Sequence, residues 1–181
     1  MTKFDTLFLD RDGILNRKID DSYVLKIGDI KIMPGIKEFL FWASKIFKKV
    51  IVVTNQRCVG RKLLNPDALV HINQTINEMT GYKIAAFFSC PHLSEVNCAC
   101  RKPKEGLFLK AADHFTIDFQ RSWMIGDSES DLIPAKKLGM QTMFVSETES
   151  DFADITVKST STLLESFIAA TQPIRSTYNY Y

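Results

Sequence analysis

An α/β fold, with a Rossmann-like parallel sheet flanked by helices, is predicted for this chain by three features. Short apolar runs alternate with stretches of helical periodicity. The runs are unbroken, as strands buried on both faces require. Chemically loaded residues follow directly on several of them, where the ligands of such sheets lie. At 181 residues and 45% hydrophobic, the chain can bury a core alone. Its length favours one domain over residues 1–181, with a core of about 4–170 and a tail at 171–181.

The elements follow in order. Leu7 to Leu9 reads as the first strand, ending in Asp10 and Asp12, and residues 14–33 read as a polar, irregular substrate loop. From Pro34, the apolar positions Ile36, Phe39, Leu40, Ala43 and Phe47 keep helical spacing, and Val50 to Thr54 is the next strand. Asn65-Pro66 supplies an N-cap and first-turn proline for a helix with Leu69, Ile72, Ile76 and Met79 on one face and Gly81 as its stop. Ile84 to Phe88 is a third strand, Leu107 to Phe115 a helix, Trp123 to Gly126 a fourth strand and Gln141 to Val145 a fifth. Pro134 is unsuited to a helix interior, so the helix after Asp127 is expected to begin near Asp131. Asp154 to Val157 reads as a short edge strand and Leu163 to Ile168 as a terminal helix, with the Tyr-rich end, Thr177 to Tyr181, a frayed terminus.

The pair Asp10 and Asp12, in Leu9-Asp10-Arg11-Asp12-Gly13, carries the chemistry. Two carboxylates this close repel unless a cation joins them, which points to a divalent metal such as Mg²⁺ with its preference for oxygen. Taken alone, Asp-x-Asp-Gly is equally a turn. Three later segments tip the balance: Val53-Thr54-Asn55, Arg101-Lys102-Pro103, and Ile125-Gly126-Asp127 followed by Asp131.

With the N-terminal pair, and in this order, these segments resemble the four motifs of the haloacid dehalogenase superfamily over roughly residues 4–158. The resemblance implies Asp10 as nucleophile, Asp12 as general acid and base, Thr54 and Lys102 as holders of the phosphoryl group, and Asp127 as the acidic residue completing a magnesium site. Mg²⁺ would then be bound by Asp10, the Asp12 backbone carbonyl and Asp127, with Gly13 freeing the chain to turn under the phosphate. Asp131 has two readings, a helix N-cap or a carboxylate of the metal shell or one orienting Thr54 and Lys102, and structural support is favoured.

A second constellation is Cys90-Pro91-His92 followed by Cys98-Ala99-Cys100. Three thiolates and an imidazole form the ligand set of a closed, structural zinc site. The chain has only four cysteines, so three with a histidine inside eleven residues is hard to credit to scattered core thiols. A disulfide is disfavoured, because the N-terminus lacks the pattern of a secretory signal and a reducing, cytoplasmic setting is expected. Cys58 is left as a free thiol. Zinc at Cys90, His92, Cys98 and Cys100 would position Lys102 rather than activate water.

The block Cys-Pro-His…Cys-x-Cys-Arg-Lys-Pro is similar, within the superfamily, to the heptose 1,7-bisphosphate phosphatases and the related histidinol-phosphate phosphatase domains. Arg61 falls where the heptose-type enzymes carry an arginine. The resemblance implies substrate contacts at Arg11, Asn55, Gln56, Arg57, Arg61 and Arg101, and a magnesium-dependent phosphatase releasing the 7-phosphate of a heptose bisphosphate. Histidinol phosphate is the competing substrate, and a catalytically silent zinc-binding scaffold is the non-enzymatic alternative. Two departures restrict the substrate loop: Cys58 and Lys62 stand where glycines are usual. Ser128 stands where some heptose enzymes have lysine.

Composition narrows the partners. A net charge of +2 without a basic block suggests neither a nucleic-acid groove nor a polybasic membrane patch. The longest apolar stretches are too short to span a bilayer. The expected partner is a small phosphorylated molecule, a sugar bisphosphate, bound by a monomer. No segment has the size of a mobile cap domain, so the site is expected to be open.

Overall fold

The computed structural model describes residues 3–171, and the expectation for the Tyr-rich end lies outside them. Six strands, β1 (Phe4–Leu9), β2 (Phe47–Asn55), β3 (Ala86–Cys90), β4 (Trp123–Gly126), β5 (Gln141–Val145) and β6 (Ile155–Val157), form one sheet. Its order is β3-β2-β1-β4-β5-β6 and every pairing is parallel. Six helices connect the strands: α1 (Ile36–Ile46), α2 (Arg57–Gly60), α3 (Pro66–Met79), α4 (Gly106–His114), α5 (Glu129–Lys137) and α6 (Leu163–Thr171).

The period of two along the buried strands divides the core into halves. Leu7, Leu9, Val50, Val52 and Ile125 face one way, onto Phe39, Ile72 and Phe167 of α1, α3 and α6. Phe8, Ile51, Val53 and Met124 face the other way, onto Leu107, Phe108 and Ala135 of α4 and α5. Both faces are covered, which is why these strands are written as unbroken apolar runs. β1 lies centrally between β2 and β4, and the chain order reverses there. A parallel sheet presents its ligand crevice at such a point, and Asp10 follows β1 directly.

Four expectations need correction. Phe47 belongs to β2, paired with Phe4, because its extended backbone (φ −99°, ψ 145°) ends α1 and continues as strand. The third strand starts two residues later than expected. The backbone N–H and C=O of Ile84 are taken by the Asn77 side-chain amide at 3.0 Å each, which holds Ile84 out of the ladder; Ala85 donates its N–H to the Val50 carbonyl (2.8 Å), and the paired register starts at Ala86. The helix after Asp127 starts at Glu129 and contains Pro134. Ser128 is its N-cap, with Asp131 at the third helical position accepting from the Ser128 N–H in a capping box. Finally, the 14–33 segment is irregular but not simply polar, since Ile14, Leu15, Val24 and Ile30 are buried and fasten it to the core.

Candidate active site

The ends of β1, β2 and β4 and the segment before α4 converge on one cavity of about 590 Å³. Asp10 follows β1 and is fixed by its N–H donating to the Ile125 carbonyl (3.1 Å). Lys102 is buried beneath it. Its ammonium donates to Asp10 (2.9 Å), to the Val53 carbonyl (2.7 Å) and to Asp131 Oδ1 (2.5 Å). Burial opposes its charge, but the Asp10 and Asp131 carboxylates outweigh burial and raise its pKa above that of an ordinary lysine.

Asp131 is not the helix N-cap, a place that Ser128 takes; its carboxylate is bonded to the N-cap backbone and to Lys102. Oδ2 accepts from the Ser128 N–H (3.2 Å), and Oδ1 carries the Lys102 ammonium. Gly126 makes room for it, since a Cβ there would lie 2.4 Å from Asp131 Oδ2.

Asp12 has a different setting. Arg11 Nη2 donates to its Oδ2 (3.0 Å), Gln56 Nε2 donates to the same oxygen (2.6 Å), and Asn16 Nδ2 donates to Oδ1 (2.9 Å). Arg11 is almost fully buried; its Nε also donates to Asp12 Oδ1 (3.3 Å), its Nη1 to Asn73 Oδ1 (3.1 Å) on α3, and its Nη2 to Gln56 Oε1 (2.9 Å) as well. Arg11 and Gln56, expected from the sequence at the substrate, are buried here and bonded to Asp12 and to each other. Gln56 Nε2 also donates to Thr54 Oγ1 (2.9 Å), which leaves the hydroxyl proton of Thr54 free to donate. Asn55 uses both ends of its amide on the Lys102 backbone, at 3.1 Å each, tying β2 to the loop that carries the lysine.

Asp127 lies across the cavity from Asp10. Burial, and then repulsion from Asp10, push its pKa up, while Lys18 pulls it back. Asp10, Asp127 and Asp131 bring carboxylate oxygens within 4.8 Å of one another. Because both oxygens of Asp131 are engaged, Asp10 and Asp127 are the pair left to share a cation. The donor set is oxygen-only and carries excess negative charge, so it fits Mg²⁺. Gly13, at φ +96°, packs against Asp127, where a Cβ would stand 2.3 Å from Oδ2. Its conformational freedom therefore serves this contact.

Beside the cavity, Cys90 at the end of β3 meets His92, Cys98 and Cys100. The sulfurs are 3.3–3.6 Å apart, and His92 Nδ1 is 3.2 Å from Cys100 Sγ and 3.7 Å from Cys90 Sγ. A tetrahedron with zinc–sulfur bonds of about 2.3 Å has an edge of roughly 3.8 Å, so the four ligands fit zinc. The spacing also far exceeds the ~2.05 Å of a disulfide, and all four cysteines are free. The clip is fastened to the site by Gln56 N–H donating to the Cys90 carbonyl (2.7 Å) and Gly60 N–H donating to that of Pro91 (2.9 Å).

The open side of the cavity carries Arg57, Arg61 and Arg101. Arg57 Nε donates to the Tyr23 hydroxyl (2.6 Å), and the Arg57 and Arg61 guanidinium groups lie 5.8 and 5.9 Å from the Tyr23 ring centre. Arg101 Nη1 is buried without a hydrogen-bond partner. Lys62 takes φ +59°, the left-handed conformation that a glycine would adopt without strain, and Cys58 is fully buried against the core. Lys18, Tyr23, Asn16 and Asn73 were not identified from the sequence. No periodicity or motif marks them, and only the fold brings them to the motif residues.

A parallel sheet with paired carboxylates and a buried lysine beyond its central strands defines a haloacid-dehalogenase-type α/β hydrolase. The model of the HAD-hydrolase-like family matches residues 99–167. The D-glycero-beta-D-manno-heptose-1,7-bisphosphate 7-phosphatase of Helicobacter pylori is 39% identical over 131 residues, covering 70% of this chain and 75% of the relative. The D-glycero-alpha-D-manno-heptose-1,7-bisphosphate 7-phosphatase of Campylobacter jejuni is 37% identical over 133 residues, covering 72% and 75%. In fold, the chain resembles the D,D-heptose 1,7-bisphosphate phosphatase from B. bronchiseptica, crystallised with magnesium and phosphate. The TM-score is 0.80 at 23% identity, over 92% of this chain and 99% of that one. The chain belongs to the haloacid dehalogenase-like phosphatases, hydrolases of phosphate esters.

Among the described residues, no helix is long and apolar enough to cross a membrane.

Proposed function

We propose that this phosphatase is magnesium-dependent, works through an aspartyl-phosphate on Asp10, and removes the 7-phosphate of a heptose 1,7-bisphosphate. The observation that carries this reading is the unequal treatment of the two carboxylates at the end of β1. Asp10 faces the cavity with Lys102 behind it, while Asp12 is clasped by three donors with 24% of its side chain still exposed. The first is placed to attack, and the second to exchange a proton.

In the first half-reaction an Asp10 oxygen forms a bond to phosphorus as the ester P–O bond breaks, and Asp12 gives its proton to the departing alkoxide. In the second, Asp12 takes a proton from the water that attacks the acyl phosphate, which restores Asp10. Lys102 and the free Thr54 hydroxyl proton neutralise the transferring oxygens throughout. Held by Asp10, the Asp12 backbone carbonyl and Asp127, Mg²⁺ would shield the charge of the phosphoryl group and its carboxylates.

The cavity and its arginines support a second anion. Arg57, Arg61 and Arg101 lie on its open side, and the unpartnered Nη1 of Arg101 suits an anionic oxygen. The substrate named for the curated relatives has two phosphates, one for the reaction centre and one for this rim. Asn55 contributes by tying the lysine loop to β2. Zinc at Cys90, His92, Cys98 and Cys100 would hold the Arg101-Lys102 segment in place, with no open position for water.

A phosphate-release panel tests the assignment, comparing both anomers of heptose 1,7-bisphosphate with histidinol phosphate. Preference for a heptose bisphosphate is expected; preference for histidinol phosphate would replace the assignment. Elemental analysis should find about one zinc per chain, and Cys98→Ser should lose both the metal and activity in ample Mg²⁺. A zinc-free protein with full activity would refute the positioning role.

A further inference from the structure

The acidic side of the cavity is not left bare. Lys18, from the 14–33 segment, places its ammonium 3.2 Å from Asp127 Oδ2, although its side chain is 62% exposed. The root of this loop is anchored. Asn16 bridges to Asp12 and Ile32, its side chain donates to the Arg17 carbonyl (3.0 Å), and the Arg17 N–H donates to Lys31 (2.7 Å). Lys18 therefore reaches Asp127 from a fixed base, and it also lines the cavity.

The position of this ammonium has an electrostatic consequence. Asp127 is pressed by the Asp10 carboxylate across a site with two open claims on it, a lysine now and a divalent cation in the reading above. Two cations drawn to one carboxylate repel each other at short range. A lysine on a solvent-exposed stem can leave at small cost. Lys102, by contrast, is buried with three acceptors and stays.

We propose that Lys18 is a displaceable counter-cation of the magnesium site: it holds Asp127 in the metal-free protein, competes with Mg²⁺ there, and turns to anionic substrate oxygens once displaced. This rests on the magnesium reading of Asp127. Linkage makes the effect reciprocal: a substrate that captures the Lys18 ammonium strengthens Mg²⁺ binding by the same factor with which Mg²⁺ strengthens substrate binding. Metal loading and substrate binding are thereby coupled through one side chain of the substrate loop.

Calorimetric titration of Mg²⁺ into substrate-free protein at low ionic strength tests the competition without turnover. Lys18→Met should bind Mg²⁺ about two- to fivefold more tightly than the unmodified chain, the range expected for releasing an exposed ion pair. Lys18→Arg, which keeps the charge, should behave like the unmodified chain. With inorganic phosphate as the probe anion, the factor by which phosphate tightens Mg²⁺ should be smaller in Lys18→Met. Unchanged or weaker Mg²⁺ binding by Lys18→Met, or equal tightening by Lys18→Arg, would overturn the proposal. Asp127→Asn separates the two levels. If it binds Mg²⁺ normally, the magnesium reading falls and this inference with it. If it loses Mg²⁺ while Lys18→Met matches the unmodified chain, only the role of Lys18 is wrong.

Discussion

On the sheet side of the cavity most polar groups are bonded to one another, whereas on the loop side two of the three arginines rest against a single tyrosine. Arg11, Gln56, Asn16 and Asn73 form a set around Asp12 in which Asn16 Oδ1 alone is buried without a partner, and Lys102 is shared among Asp10, Asp131 and the Val53 carbonyl. Arg57 and Arg61 have Tyr23 alone in common, and Arg101 keeps an unused donor. The first arrangement fixes atoms to the precision that bond-making needs. The second leaves donors ready for a ligand to recruit. In the reading proposed above, chemistry and choice of substrate fall to regions with different degrees of restraint, and each can be perturbed separately.

The largest effect should come from the sheet side. Asp10→Asn replaces a nucleophilic carboxylate by an amide, and phosphate release in excess Mg²⁺ should fall by on the order of 10⁴-fold or more, with the fold retained by circular dichroism. Near-normal turnover in a folded sample would sink the aspartyl-phosphate route.

Arg11→Met breaks the set around Asp12 from inside. It strips a buried cation from Asp12, leaves Asn73 Oδ1 without its Arg11 donor and leaves Gln56 Oε1 with only the weak Cys58 thiol (3.6 Å), so urea unfolding should show a loss of about 3 kcal/mol. A loss below ~1 kcal/mol would mean that the network adds little restraint.

Arg61→Ala sharpens the contrast from the loop side. Turnover of a heptose bisphosphate should drop about ten- to hundredfold in kcat/KM, with little change for a simple phosphate ester or for stability. Equal losses on both substrates would give the loop a general structural role.

Lys62→Gly should have the smallest effect. Relieving a side chain held at φ +59° should raise stability by about 0.5–1 kcal/mol in the same unfolding assay, after the entropy cost of glycine is subtracted. A destabilised variant would show that the Lys62 side chain has a contact worth more than the strain.

How much of this could be read in the sequence divides along similar lines. The positions of the strands along the chain, and of the motif residues near their ends, were legible because each depends on local pattern; the order of the strands in the sheet was not. Apolar runs mark buried strands, and Asp10, Asp12, Thr54, Lys102 and Asp127 follow or approach their ends. The Cys90 to Cys100 cluster was legible because its ligands are close in the chain. The start of α5 was misjudged by giving Pro134 more weight than Ser128 and Asp131, whose capping box fixes the helix end. β3 was set two residues early, because a side-chain amide thirteen residues away from Cys90, at Asn77, takes the backbone of Ile84. Lys18, Tyr23 and Asn73 were missed since their partners lie far along the chain: Lys18 meets Asp127, and Asn73 meets Arg11. Such pairings leave no periodic trace. The burial of Arg11 and Gln56 around Asp12 was not legible, because it depends on Asn73 and on residues brought together only by the fold.

The pairing of β1 with β4, Leu7 with Trp123 and Leu9 with Ile125, has a consequence for how the protein comes into being. A ribosome adds about 5–20 residues per second, so Asp10 emerges seconds before the strand that will flank it and the Asp127 that will oppose it. Until then β1 can pair with β2 but has its other edge bare, an open template for another extended segment. A nascent chain that stopped before Trp123 would have Asp10 and Asp12 without the opposing carboxylate of Asp127. The order of synthesis therefore leaves the cluster of Asp10, Asp127 and Asp131 incomplete until the chain has passed β4.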